Sequence, residues 1–177
     1  MRLTVIGTGY LGAVHAACMA EIGHDVLGVD VDEAKIAALA EGRAPFYEPG
    51  FPEVLQRNLA NGRLRFSTSL AEAAAFGDVH FVCVGTPQRP GSHAADLRYV
   101  DAVVDGLAPH LRPGALVVGK STVPVGTAAR LAAHVPSLAW NPEFLREGFA
   151  VEDTLRPDRL VVGVTSASDE QILREVY

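Results

Sequence analysis

The chain has 177 residues, of which 49% are hydrophobic and 20% are charged, and its formal net charge at pH 7 is −6. This apolar share, with charges of both signs, excludes a disordered chain, and the length fits one globular domain with its own core. The acidic balance argues against nucleic acid as a partner, and the longest apolar runs, such as residues 79–84, are far short of the roughly 20 residues that a membrane span needs.

Short β-branched runs alternate along the chain with amphipathic segments of helical length. Most of the runs are continuously apolar, as expected for strands that are buried on both faces of a parallel sheet. The predicted strands cover residues 3–6, 25–29, 64–66, 79–84, 115–119, 137–140 and 159–164. The predicted helices cover residues 11–22, 33–41, 52–61, 70–75, 96–110, 126–134 and 168–177. This alternation predicts a Rossmann-type α/β fold, with a doubly wound, mostly parallel sheet and helices on both faces.

A glycine-rich motif, G-T-G-Y-L-G over residues 7–12, lies between the first predicted strand and the first predicted helix. In dinucleotide-binding folds, the glycine at the position of Gly7 makes the tight turn, and the one at Gly9 lets the backbone approach a pyrophosphate. The glycine at Gly12 allows close packing of helix and strand. The helix N-terminus then offers unpaired N–H groups to the phosphates. The motif predicts a dinucleotide site.

Asp30 ends the second predicted strand, 18 residues beyond Gly12. Dinucleotide-binding folds carry at this spacing the carboxylate that accepts hydrogen bonds from the adenosine ribose. A carboxylate there repels a 2′-phosphate, so NAD is predicted rather than NADP. The alternative from spacing alone is a solvated carboxylate at a strand end.

Three loops that follow later strands carry hydroxyl and carboxyl side chains. Thr86 follows the fourth predicted strand, Thr122 follows the fifth, and Glu143 and Glu147 follow the sixth. The carboxyl ends of parallel strands meet at one edge of the sheet, where ligands of doubly wound folds bind. We therefore expect these side chains to project toward one crevice. The alternative is that the two threonines cap helices.

The N-terminus and the two cysteines indicate the compartment. Only residues 3–6 separate Arg2 from the first glycine, too few for the apolar core of a secretory signal. Cys18 and Cys83 each lie in an apolar stretch, and two thiols alone form neither a disulfide framework nor a metal cluster. We expect two buried thiols, no metal site and a cytoplasmic location.

Several motifs occur together over the whole chain: GTGYLG, GVDVDEAK, FYEPG, VGTP, KSTVPVGT, NPEFLREG and PDRLVVG. In this order and spacing they resemble the UDP-glucose/GDP-mannose dehydrogenase family. The resemblance implies a four-electron oxidation of a sugar C6 alcohol to a carboxylate, with two NAD molecules and a cysteine-linked intermediate. The implied substrate is a UDP-sugar, UDP-glucose first; GDP-mannose, a UDP-N-acetylhexosamine, or a non-catalytic NAD-binding module are the alternatives.

The resemblance also implies roles for individual residues. The implied NAD contacts are Gly7, Gly9, Tyr10, Leu11, Gly12, Asp30, Lys35, Thr86, Thr122 and Glu147. The implied lining of the sugar-nucleotide pocket is Glu143, Phe144, Leu145, Arg146 and Glu147. The implied catalytic residues are Thr122, Glu143 and Glu147. Lys120 and Arg146 also fit solvated or phosphate-side charges.

The chain departs from the family pattern in its first helix and in its extent. His15 and Ala16 stand where relatives often carry Thr and Gly, and we interpret His15 as a core histidine. The family's nucleophilic cysteine, catalytic lysine and asparagine, and nucleotide-sugar domain have no counterpart in residues 1–177. We expect this chain to be an NAD-binding domain, truncated before a central helix, that binds NAD without oxidising UDP-glucose alone. The parent enzyme is expected to be a homodimer or larger.

Overall fold

The computed structural model describes residues 1–177 and contains one six-stranded, all-parallel sheet. The strands are β1 (Arg2–Ile6), β2 (Asp25–Val29), β3 (Leu64–Ser67), β4 (Val79–Val82), β5 (Leu116–Gly119) and β6 (Leu138–Trp140). Their order in the sheet is β3-β2-β1-β4-β5-β6. The predicted fold class is confirmed.

Eight α-helices connect and follow these strands. They are α1 (Tyr10–Glu21), α2 (Glu33–Ala40), α3 (Phe51–Ala60), α4 (Leu70–Phe76), α5 (Arg98–Leu107), α6 (Thr127–Leu131), α7 (Ala150–Leu155) and α8 (Ala167–Val176). Three of them begin at side-chain caps: Asp32, Ser69 and Ser166 accept hydrogen bonds from backbone N–H groups of the first turns of α2, α4 and α8. None of the helices is long and apolar enough to cross a bilayer.

The core lies on both faces of the sheet. One cluster of 24 buried residues packs α1, α3, α7 and α8 onto one face, and a cluster of 14 packs α4, α5 and α6 onto the other. Successive strand residues alternate between the two, so Phe81 belongs to the first cluster and Val82 to the second. Burial on both faces is the physical reason why the strands read as continuous apolar runs.

The predicted seventh strand, over residues 159–164, is wrong. In the structure this segment makes only an isolated antiparallel bridge, in which Trp140 and Gly163 exchange two backbone hydrogen bonds of 2.9 and 2.7 Å. Leu160 and Val161, which supplied the strand-like pattern, are 45% and 44% exposed. The segment is therefore an apolar loop that lies beside β6 at this bridge without extending the sheet.

One helix was missed, and two predicted helices differ from the structure in their bounds. The six-residue helix α7 was not predicted, since it is short and its N-cap residue, Phe149, makes no side-chain cap. The segment predicted as helical over residues 96–110 begins at Arg98 and ends in a 3₁₀ turn at Ala108–His110, where Pro109 interrupts the regular bonding. The helix predicted over residues 126–134 ends as α6 at Leu131.

The strand order reverses between β1 and β4. The chain moves from β1 outward to β2 and β3, and then crosses back to β4 and continues to β5 and β6 on the other side. In open α/β sheets, ligands bind in the crevice at such a switch point, outside the carboxyl ends of the strands. A ligand site is therefore expected at the loops that follow β1, β4, β5 and β6.

Candidate dinucleotide and substrate site

The turn after β1 requires glycine at its first and last positions. Gly7 has a φ of +92°, and a Cβ there would lie 2.8 Å from atoms of Val84. A Cβ on Gly12 would lie 1.8 Å from the carbonyl oxygen of Gly7. A Cβ on Gly9 would meet nothing within 4 Å, and Gly9 is exposed. Two glycines thus close the turn, while the third leaves open space beside the backbone for a ligand.

Helix α1 starts directly after this turn and carries no charge that would compete with an anion. No side chain caps it at Gly9, and its first turn contains no acidic residue. Tyr10 and Leu11 form the beginning of the helix, and both are partly exposed. The first N–H groups of the helix and the positive end of its dipole therefore face the open side of Gly9.

Asp30 lies against the glycine turn rather than in solvent. Its Oδ2 accepts hydrogen bonds from the Thr8 backbone N–H at 2.8 Å and from Lys35 Nζ at 2.9 Å, and its Oδ1 accepts from the Asp32 N–H at 3.1 Å. Burial alone would raise the pKa of Asp30, but the hydrogen bonds from Lys35, Asp32 and Thr8 outweigh it and lower the pKa. The Asp30 side chain is 10% exposed, so the alternative of a solvated carboxylate is wrong.

The loops after β4 and β5 are joined by a hydrogen bond. The Thr86 hydroxyl donates to the backbone carbonyl of Thr122 at 2.7 Å. Neither threonine caps a helix, because the N-caps of α5 and α6 are Leu97 and Gly126. The Thr122 residue is exposed at this edge of the sheet. The two threonines predicted from the strand ends therefore do lie together.

A buried ion pair joins the loops after β5 and β6. Lys120 Nζ lies 2.8 Å from Glu143 Oε2 and donates to Asn141 Oδ1 at 2.9 Å. The Tyr177 hydroxyl donates to the same oxygen of Asn141, which ties the end of the chain to this cluster. Lys120 is 4% exposed, so its interpretation as a solvated or phosphate-side charge is wrong. Its position directly after a strand with both faces buried was the signal that could have shown this.

Next to this ion pair is a cavity of about 740 Å³. Four of the five residues predicted for the sugar-nucleotide pocket line it: Glu143, Phe144, Leu145 and Arg146. Glu147 is exposed and is not among the residues that line it. Arg146 is paired in solvent with Asp153 at 2.6 Å, in agreement with a solvated charge.

His15 lies on α1 at the back of the same cavity. Its ring packs edge-on against Phe81, with 4.6 Å between centroids, and its Nε2 has no hydrogen-bond partner. Burial first, and then the charge of Lys120, hold the pKa of His15 well below its usual range. His15 is therefore a neutral core histidine, as the sequence indicated.

Neither thiol has the lowered pKa of a reactive cysteine, and side chains that could bind a metal ion do not cluster. Burial raises the pKa of Cys18 and of Cys83 to about 12 in each case. Both cysteines are free and buried. No group of three or more His, Cys, Asp or Glu side chains lies close enough together to hold a metal ion.

The sheet order, the glycine turn at the switch point and the carboxylate at the end of β2 define a dinucleotide-binding domain of the Rossmann dehydrogenase class. Comparison with known proteins makes this specific. The family model described as "UDP-glucose/GDP-mannose dehydrogenase family, NAD binding domain" matches residues 1–177. The chain therefore belongs to the UDP-glucose/GDP-mannose dehydrogenase family, of which it is an NAD-binding domain, and the resemblance inferred from its motifs is confirmed.

Similar proteins support this assignment. The chain is 46% identical over 188 residues to the UDP-glucose 6-dehydrogenase of Rhizobium meliloti, a match that covers 100% of this chain and 43% of that relative. A solved UDP-glucose dehydrogenase from Pyrobaculum islandicum has a TM-score of 0.92 and 45% identity over 99% of this chain and 43% of its own. A solved GDP-mannose dehydrogenase from Pseudomonas aeruginosa has a TM-score of 0.93 and 34% identity, and the match covers 100% of this chain and 44% of that one. The chain thus spans less than half the length of these relatives.

Proposed function

We propose that this chain is the cofactor half of an enzyme that oxidises the C6 alcohol of UDP-glucose to UDP-glucuronate. The observation that carries the proposal is the contact of Asp30 with the glycine turn, 2.8 Å from the Thr8 N–H, because it places an ionised ribose acceptor beside a diphosphate cradle. The proposed substrate draws on the relatives: identity is 45% to a solved UDP-glucose dehydrogenase and 34% to a GDP-mannose dehydrogenase.

The residues around the turn fit NAD. The open side of Gly9 and the uncapped start of α1, with Tyr10 and Leu11, would hold the diphosphate. Asp30 and Lys35 would hold the adenosine ribose, and the charge of Asp30 disfavours a 2′-phosphate. Thr86, Thr122 and Glu147 are proposed for the nicotinamide side. When bound, NAD supplies the hydride acceptor for the sugar carbon.

The cavity after β6 is proposed as this chain's part of the sugar-nucleotide pocket. Glu143 lies on its wall, held by Lys120 at 2.8 Å, where a carboxylate can accept a proton or orient a water molecule. Phe144, Leu145 and Arg146 would line the rest of this pocket. Thr122 and Glu147 complete the proposed catalytic set, at the edge of the sheet that also carries the cofactor loops.

The proposed reaction needs a cysteine thiolate that adds to the sugar aldehyde, and neither cysteine of this chain is suited to that role. Both cysteines are buried with a raised pKa, so neither is a nucleophile at neutral pH. We propose that the nucleophile belongs to a second, nucleotide-sugar domain, after a central helix. The further proposals are that the whole enzyme is a homodimer or larger assembly and is cytoplasmic, to which the two free cysteines are suited.

Calorimetric titration and an assay of NADH formation test the proposal. The purified chain should bind NAD more tightly than NADP and should form no NADH from UDP-glucose. The proposed whole enzyme, with its second domain, should form NADH with UDP-glucose and form it more slowly with GDP-mannose. Equal affinity for NAD and NADP would contradict the role of Asp30, and NADH formation by the chain alone would contradict the proposed need for an added thiol.

A further inference from the structure

Glu48 is a buried carboxylate in the loop between α2 and α3, within the FYEPG segment, for which the proposed function has no role. It is 1% exposed. Its Oε2 accepts hydrogen bonds from the Tyr10 hydroxyl and from the Gly148 N–H, the latter at 2.9 Å, and its Oε1 accepts from the Ala150 N–H at 2.7 Å. A buried carboxylate without a cation is retained where donors satisfy both of its oxygens.

These three donors come from parts of the chain that are distant in sequence. Tyr10 is the first residue of α1 and follows the glycine turn directly. Gly148 follows Glu147, and Ala150 is the first residue of α7, which has no side-chain cap of its own. Glu48 therefore fastens the segment 147–150 to the start of the dinucleotide-binding helix.

Aromatic packing fixes the Tyr10 end of this contact. The Tyr10 ring meets Phe46 edge-on at 5.0 Å, and Phe46 stacks on the fully buried Phe51, also at 5.0 Å. Burial and the hydrogen bond to Glu48 raise the pKa of Tyr10 to about 12, so its hydroxyl stays a donor. Tyr10 is thus held by its own packing, whereas the Gly148 N–H depends on Glu48 and on a longer, 3.4 Å contact with the Tyr10 hydroxyl oxygen.

We propose that Glu48 is a positioning residue that sets the place of Glu147 relative to the glycine turn, and so shapes the nicotinamide side of the NAD site. The inference rests on the proposed function, in which Glu147 contacts that side. The packing of the Tyr10 ring on Phe46 and the closure of the turn by Gly7 and Gly12 do not involve the Glu48 carboxylate. We therefore expect the diphosphate and ribose contacts to persist when that carboxylate is removed.

The variant Glu48→Gln tests this proposal because it keeps shape and removes acceptors. One side of a glutamine amide is an NH₂ donor, which would face a backbone N–H of Gly148 or Ala150. Binding of NAD and of ADP-ribose, which lacks the nicotinamide, is measured by calorimetry on the purified chain. We expect about a tenfold loss of NAD affinity and less than about a twofold change for ADP-ribose.

Controls separate positioning from general damage. Glu53→Gln, on the exposed side of the nearby α3, should change neither affinity. Tyr10→Phe removes one of the donors and keeps the ring packing, so it should lower the NAD affinity in the same direction by a smaller factor. This variant also serves the test if Glu48→Gln fails to fold.

The outcomes distinguish the two proposals. Equal losses of affinity for NAD and ADP-ribose in Glu48→Gln, or no loss for either ligand, overturn the positioning role. The preference of the wild-type chain for NAD over NADP is not affected by either result. If the wild-type chain binds NAD and ADP-ribose equally well, the nicotinamide contact of the proposed function fails, and the inference fails with it.

Hydrogen exchange in the wild-type chain provides a second test that needs no variant. The Gly148 and Ala150 amides, which donate to Glu48, should exchange at least about tenfold more slowly than the exposed Glu147 amide beside them. Exchange of Gly148 at the rate of Glu147 would show that the contact is not held in solution and would overturn the proposal.

Discussion

The ammonium of Lys120 lies 2.8 Å from a carboxylate oxygen of Glu143, and only 5% of the lysine side chain is exposed. The two residues come together because they follow β5 and β6, which are neighbouring parallel strands with carboxyl ends at the same edge. Asn141 shares the ammonium as a second acceptor. A charge is buried at the site because its partners are supplied by an adjacent strand end.

Lys120→Met should destabilise the chain. Methionine fills a similar volume but leaves the Glu143 carboxylate without its cation, while Asn141 Oδ1 keeps the hydrogen bond from the Tyr177 hydroxyl. Losing one partner of a buried pair costs about 3 kcal/mol. Urea denaturation measures this loss. Arg156→Met, in an exposed pair with Glu152, is the matched control and should change the free energy of unfolding by less than about 0.5 kcal/mol. Equal effects of the two variants would contradict the buried pair.

Asp30→Asn should weaken NAD binding and reduce the preference for NAD over NADP. The variant keeps the shape but removes the charge that is proposed to accept hydrogen bonds from the ribose and to repel a 2′-phosphate, so about a tenfold loss of NAD affinity is expected. Calorimetry with both dinucleotides measures it. Asp25→Asn, at the exposed start of β2, should leave both affinities unchanged. An unchanged NAD to NADP ratio in Asp30→Asn would speak against the role of the carboxylate.

Gly9→Ala and Gly12→Ala should fail in different ways. A Cβ on Gly9 meets no protein atom within 4 Å, so this variant should fold, with an unfolding free energy within about 1 kcal/mol of wild type, yet bind NAD at least about tenfold less tightly. A Cβ on Gly12 would lie 1.8 Å from the Gly7 carbonyl oxygen, so that variant should lose thermal stability first. Circular dichroism melts and calorimetry separate the two, and normal NAD binding by Gly9→Ala would contradict the predicted approach of the diphosphate.

The stability of the chain should fall as pH drops below about 6.5, because of His80. Burial, with a smaller effect of Arg112, lowers the pKa of His80 to about 4, and its Nδ1 pairs with the Thr4 hydroxyl at 2.8 Å. The folded state keeps His80 neutral while the unfolded state takes up a proton below 6.5. The free energy of unfolding therefore includes a contribution of about 3 kcal/mol above pH 6.5, and this contribution is lost progressively as the pH falls to about 4.

Urea midpoints measured between pH 7 and pH 4 check this dependence. His15 acts in the same direction, since its pKa is also lowered by burial. His80→Gln, which keeps a hydrogen-bonding group toward Thr4 but does not titrate, should flatten the slope between pH 6.5 and pH 4. A slope that is the same in wild type and variant would assign the pH dependence to other groups.

The sequence was sufficient wherever the signal is local. The glycine motif of residues 7–12 requires small residues within one turn, and the apolar runs of the strands reflect burial on both faces, so the fold class and the dinucleotide turn were both predictable. The position of Asp30 beside this turn was also predictable, because a helix of this length between two neighbouring parallel strands brings the end of the second strand next to the turn after the first.

The tertiary structure alone decided features in which distant residues meet. Residues 159–164 have the apolar pattern of a strand but make only the bridge between Gly163 and Trp140, since their path over β6 depends on the rest of the fold. Helix α7 takes its N-terminal acceptor from Glu48, 102 residues before Ala150, which no local pattern contains. The burial of Lys120 likewise depends on Glu143. Local sequence determines the conformation of a segment. The tertiary fold decides which segments lie side by side, and so which residue pairs with a buried charge or accepts hydrogen bonds from the N-terminus of a helix that lacks its own cap.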